Sequence, residues 1–216
     1  MRGKSQVAMG WQGFVEKSSE LDRKVRSPMK RTRHFLPLLI CLFIVGCGRS
    51  HPTTPQGRLG EAVKKLAGAS NEQEKFYALD DAAKQSFVTG NIEAARNYAN
   101  DLLALAPKYR TDWNYGNAIQ DGNLVLGRIA LKEGRTEKAK KYLIEAGKSP
   151  GSPQMNSFGP NVSLAKDLLE KGERDVVLQY FDLCRKFWSM GHDELDQWTK
   201  EVTDGKLPDF GANLVY

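Results

Sequence analysis

The chain of 216 residues holds only three cysteines and three histidines. Cys41 and Cys47 both fall in or directly after an apolar stretch near the start, so the rest of the chain has Cys184 alone. A disulfide framework within one chain is excluded, and the fold must be held by its core. Long apolar runs are missing too. Phe35 to Val45 is a run of eleven residues interrupted by Pro37, about 16 Å as a helix and about half of what a membrane span needs. An excess of one charge sign is also lacking where it would matter. The whole chain carries +6 and has a pI of 9.2, but residues 1–46 hold 9 of the 32 Lys and Arg and only 3 of the 26 Asp and Glu. Beyond them 23 bases face 23 acids, and a nucleic-acid-binding function loses its electrostatic footprint.

Lys30, Arg31 and Arg33 precede the apolar run, which gives the charged and apolar regions of an export signal. Ile44-Val45-Gly46-Cys47 closes it and resembles the lipobox of bacterial lipoproteins. The resemblance implies cleavage before Cys47 and attachment of a diacylglyceryl anchor of the palmitate type to its thiol. Gly48, in the absence of aspartate there, implies an outer-membrane lipoprotein facing the periplasm in a bacterium that has that membrane. An ordinary signal peptide with an incidental cysteine is the alternative. The expected layout is an over-extended N-terminus at 1–28, with Met29 as the start, a signal at 29–46, a flexible tether at 47–57 and a folded domain at 58–216.

Beyond the tether there is no strand-like alternation, and apolar residues recur at helical spacing, so the domain is expected to be all-α. An amphipathic stretch at Leu59–Leu66 suggests a short first helix. A capping box at Ser70–Gln73 opens a helix that Gly90 stops, and Asn91 is placed to cap the next, which Pro107 ends. Further helices are expected over 117–134, 136–147, 160–172, 174–190 and 192–203.

Aligning the turn glycines Gly90, Gly134 and Gly172 exposes a repeat. Leu126-Gly127 precedes the second turn, and Ala139 and Ala146 follow it; Leu164-Ala165, Val177 and Cys184 stand at the same offsets around the third. The first unit has Ala82-Ala83 and Ala95 there. This pattern resembles the tetratricopeptide repeat, in which small residues mark close helix crossings. The resemblance implies a right-handed superhelical stack of about three helix-turn-helix units, plus a C-terminal helix and tail. The turns are 44 and 38 residues apart, longer than the family period, which leaves inserts at about 109–117 and 150–159.

Two surfaces are candidates for binding. Six residues before each turn stand Lys84, Arg128 and Lys166. On a concave face they would form a basic ladder for an acidic segment or a chain terminus, similar to the carboxylate clamp of some tetratricopeptide domains; the other reading is a solvated face. The inserts offer Trp113, Asn114, Tyr115 and Asn117, and Gln154, Asn156, Ser157 and Phe158. Aromatic area beside amide direction suits peptide or sugar contacts, although these residues equally fit as plugs between irregular repeats. Both inserts precede the first helix of a unit, so one joint site is expected.

Cys184 occupies a packing position, and Tyr180, Phe181, Phe187 and Trp188 form a core stripe around it. His192 and Asp196 share a helix face, but acidic residues at a helix start are explained by the helix dipole. The tail Pro208–Tyr216 is expected to fold back or to be recognised elsewhere. The function expected is a lipid-anchored protein-interaction or assembly module of the cell envelope, with no cofactor, metal or catalysis of its own. A small-ligand or glycan-binding accessory subunit is the alternative, with hydrolysis disfavoured by the lack of a carboxylate pair near the inserts.

Overall fold

The computed structural model describes residues 54–214; the signal, Cys47 and most of the tether lie outside them. Nine α-helices follow one another: α1 Pro55–Ala67, α2 Glu72–Val88, α3 Ile92–Leu105, α4 Tyr115–Lys132, α5 Thr136–Gly147, α6 Pro153–Phe158, α7 Ser163–Leu169, α8 Arg174–Cys184 and α9 His192–Thr203. Single 3₁₀ turns stand at Ala106–Tyr109, Ser189–Gly191 and Gly211–Leu214. There is no strand among the described residues, and sequential helices pack antiparallel. None of these helices is long and apolar enough to cross a membrane.

The three aligned glycines end α2, α4 and α7 with one device. Gly90, Gly134 and Gly172 have φ of 84°, 73° and 85°. At the first turn the Asn91 amide donates to the Ser86 carbonyl at 2.8 Å and the Gly90 amide to Phe87 at 3.1 Å. Arg135 to Ala130 with Gly134 to Leu131, and Glu173 to Leu168 with Gly172 to Leu169, repeat the pair. This is the Schellman closure, which satisfies two carbonyls left over at a helix end and needs a left-handed residue. A fourth copy closes α9, where Gly205 has φ 80° and Lys206 donates to Glu201 at 2.8 Å. The last helix is therefore closed by the same device as α2, α4 and α7, with the tail following it.

Several boundaries differ from the sequence-based expectation for local reasons. Pro55 lies inside the segment read as tether, yet α1 begins there, because the Thr54 hydroxyl accepts from the Gly57 amide and proline suits a first helical position. The capping box is shifted by one residue: Asn71 caps Glu74 at 2.9 Å, and the Glu74 carboxylate returns to the Ser70 amide at 2.8 Å. Asn91 stands at the start of α3 but makes no side-chain cap. Helix α8 stops at Cys184 rather than 190, as the amides of Phe187 and Trp188 both turn back to the Cys184 carbonyl. The short α6 inside the second insert was not expected; Ser152 caps it and Pro153 opens it, the same signal as in α1.

The core is continuous in composition but divided in space. Phe76, Leu79 and Leu102 pack at the α2–α3 end, Phe87, Val125 and Ile129 where α2 meets α4, and a larger group spans α4 to the tail. In that group Tyr180, Phe181, Trp198 and Phe210 meet ring to ring, with Trp198 and Phe210 edge-on at 5.0 Å. The tail thus folds back onto α8 and α9.

Opposite effects are expected from glycine-to-alanine changes at two sites. Gly134 needs a left-handed backbone, so Gly134→Ala costs about 1 kcal/mol in urea unfolding. Gly60 lies inside α1 with open space around it, so Gly60→Ala gains roughly 0.5 kcal/mol.

Candidate functional site

The two inserts are joined at backbone level. Gly116, in the first turn of α4, lies so close to Gly151 that a β-carbon on it would stand 1.8 Å from the Gly151 carbonyl oxygen. The buried Ser149 hydroxyl donates to the Gly116 carbonyl at 2.7 Å and accepts from the Gly151 amide at 3.1 Å. Asn117 Nδ2 then reaches Asn114 Oδ1 at 2.8 Å and Gln154 Oε1 at 3.0 Å, while Ser152 Oγ donates to Asn117 Oδ1 at 2.6 Å. The amides of the inserts are spent largely on one another, and that fixes the inserts as one body.

The tail supplies the far wall. Asn213 Nδ2 donates to the carbonyls of Phe158 at 2.9 Å and Pro160 at 3.0 Å, and its own carbonyl accepts from the Val162 amide at 2.9 Å. Beneath it, Gln120 links to the Asn161 amide at 3.1 Å and to the Tyr180 hydroxyl at 3.2 Å. Between inserts, tail, α2 and α4 opens a cleft of about 580 Å³. Its lip is aromatic: Trp113 is 52% exposed and Phe158 78%, and the Tyr77 ring stands 5.8 Å from that of Trp113.

Its floor is ionic. Lys84 Nζ lies 3.0 Å from Asp80 Oδ2 and 3.1 Å from Asp121 Oδ2, and all three side chains are largely buried. Burial alone would favour the neutral amine, but Asp121 and Asp80 outweigh it and hold Lys84 charged, above the ordinary lysine range. Burial also pushes the Asp80 carboxyl up to about 7, against the pull of Lys84 and with the charge of Asp121 adding to the push. Asp80 Oδ1 is buried without a hydrogen-bond partner among the described residues. Asp81, also in the lining, is half-exposed and 3.9 Å from Lys65.

Five of the nine partner-contact residues expected from the sequence therefore meet in this cleft: Lys84, Trp113, Asn114, Asn117 and Phe158. The other four do other things. Tyr115 packs against the core at the α2–α3 end, and Asn156 accepts from the Ser189 amide and hydroxyl, fixing the turn before α9. Arg128 pairs with Asp167 at 2.7 Å and lies over the Phe87 ring at 4.8 Å; Lys166 pairs with Glu170. The three bases stand on α2, α4 and α7, but each is met by a carboxylate, so together they carry no net positive charge. At the equivalent place before Gly205 stands Thr199, which accepts from Arg185.

Asp80, Asp81 and Asp121 were not among the expected residues, and the expected lack of a carboxylate pair near the inserts does not hold in the fold, where these acids line the same cleft. A signal was available, since Asp80 stands four residues before Lys84 on α2 and interior helix aspartates are costly unless paired. Asp121 is 37 residues beyond Lys84 and gave no comparable signal. His192 Nε2 meets the Arg185 carbonyl at 3.2 Å and Asp196 pairs with Arg185 at 2.6 Å. Burial pushes the Cys184 thiol far above its ordinary range, as fits a packing role.

Comparison with protein-family models, with curated proteins and with solved structures gave no match to this chain.

The raised Asp80 carboxyl has a direction in stability. The unfolded chain releases this proton near pH 4, at about the ordinary carboxylate value, whereas the folded protein keeps it up to about 7. The group's contribution is complete below that window and is lost as pH rises through it. Thermal melts followed by circular dichroism are expected to show wild type losing ground to Asp80→Asn between pH 4 and 7; a constant difference between the two would refute the raised carboxyl.

Proposed function

We propose that this chain is a lipid-anchored lipoprotein of the bacterial cell envelope, tethered through Cys47, whose helical domain docks a partner protein in the cleft between its inserts. The helices would be tetratricopeptide-like hairpins wound into a superhelix, a form that presents a groove to extended segments. Repetition of one turn closure at Gly90, Gly134, Gly172 and Gly205 is in keeping with that. In a bacterium with an outer membrane, the domain would face the periplasm.

The observation that carries the reading is the convergence of both inserts on a single open cleft with two exposed aromatic rings at its lip. Singly exposed apolar residues are common on any surface, but two aromatics at the mouth of one polar concavity are what an anchor for a partner requires. The polar groups beneath are held by their own network, so the shape is preformed and little ordering is needed on binding. Catalysis is not part of this proposal: the carboxylates of Asp80 and Asp121 in the floor are both engaged by Lys84.

A second reading, a small-ligand or glycan site serving an envelope enzyme system, is favoured by the volume of about 580 Å³, within the range of roughly 300–1,000 Å³ usual for such sites. Ligand-dependent thermal stabilisation of the purified protein by soluble glycans or metabolites, with no protein partner, would favour it over docking.

Two tests follow. Trp113→Ala with Phe158→Ala should leave helicity and melting temperature within about 0.5 kcal/mol of wild type and remove the partner from in-cell crosslinks. Retention of the same crosslinked proteins would sink the docking reading. Charge reversal at Lys84 is a poorer test, since it sets acid against Asp80 and Asp121. For the anchor, Cys47→Ser should abolish incorporation of labelled palmitate and release the protein from membranes; unchanged labelling would refute it.

A further inference from the structure

The charge of the cleft runs opposite to that of the ladder drawn from the sequence. Its lining holds three acids, Asp80, Asp81 and Asp121, against one base, Lys84. Lys84 is spent on two of the acids, and the other two rungs, Arg128 and Lys166, are not in the lining and hold carboxylates of their own. With the Asp80 carboxyl pushed up to about 7, Lys84 is balanced by Asp121, and the half-exposed Asp81, 3.9 Å from a Lys65 that stands outside the lining, is the carboxylate that keeps the potential of the cleft negative.

One further observation points the same way. The rings of Tyr77, Trp113 and Phe158 stand around the opening, and aromatic faces attract cations while offering area to a side-chain stem. An anion would meet the acids and an already neutralised lysine. A cation would meet the carboxylates of Asp81 and Asp121 and ring faces.

Resting on the docking reading above, we propose that the cleft recognises a lysine or arginine side chain on an extended segment of the partner, with the cationic head toward Asp81 and Asp121 and a neighbouring apolar residue across Trp113 and Phe158. The stem of such a side chain bridges an aromatic lip and an ionic floor, which neither a short acidic side chain nor a purely apolar one does. The partner segment is basic and apolar in alternation rather than acidic.

The test uses the purified protein and three fluorescently labelled peptides of one sequence, Ser-Ala-Phe-X-Leu-Ala-Ser, with X lysine, norleucine or glutamate, and 1,5-diaminopentane as a small free cation. Fluorescence anisotropy should show the lysine peptide binding about tenfold more tightly than the norleucine one, with the glutamate peptide weakest and the lysine advantage shrinking as salt rises. Asp81→Asn should reduce the ratio of lysine to norleucine affinity several-fold. Since Asp81 is half-exposed, its loss leaves the buried Lys84 pairs intact, whereas Asp121→Asn serves as a second variant once its helicity is checked. Norleucine or glutamate binding as well as lysine overturns the cation inference and leaves docking standing. If 1,5-diaminopentane stabilises the protein and no peptide binds, the cleft takes a free amine, and the docking reading falls along with the partner-segment inference. Absence of binding by every probe up to about 1 mM overturns the inference outright.

Discussion

Close approach of backbones along α4 is the constraint on which the arrangement of the domain depends. Three glycines lie in this one helix, each facing a different neighbour. A β-carbon at Gly116 would meet the Gly151 carbonyl, one at Gly122 would stand 2.8 Å from Leu103 of α3, and one at Gly127 would stand 2.2 Å from Leu164 of α7. Interior glycines cost a helix about 1 kcal/mol each. Here that cost is set against contact with the second insert, the preceding hairpin and the following one at the same time. Without the first of these contacts the inserts would not be one body, and the cleft would have no shared wall.

The same helix brings charge into the interior. Asp121 sits between Gly116 and Gly127, and only because α4 lies tightly against α2 does its carboxylate reach Lys84. Buried ion pairs add little net stability once desolvation is counted, but leaving one partner alone is costly. The pairing therefore acts as a register lock between α2 and α4 more than as a source of stability. It also explains why a lysine facing the concavity does not make the concavity basic.

Much of the architecture was legible in the sequence, because glycine turns and helical periodicity are local. Thr136–Gly147 and His192–Thr203 stand where the pattern put them, and the turn glycines do close helices by one repeated device. The fourth turn at Gly205 was equally legible, 33 residues after Gly172, but the alignment stopped at the third. The ends of helices that stop for tertiary reasons were not: α8 ends at Cys184, and beyond it Trp188 folds over Gly191, which no local pattern announces. At the site, the inserts expected to lie together do touch, through Asn117 with Gln154 and Ser152. The sign of the cleft was not legible, since it depends on which acids the fold brings beside Lys84, and Asp121 comes from the next hairpin.

Asn213 has a consequence for timing. It holds the carbonyls of Phe158 and Pro160 and so completes a cleft whose other walls are built from residues 77 to 161. Of the residues lining the cleft it is the last to be translated. A nascent chain can close the hairpins around Gly90 and Gly134 long before that, and yet offer nothing with the finished shape. Completion of the cleft is in this way deferred until synthesis has passed the tail, and a chain stopped short of it would lack the wall that Asn213 holds.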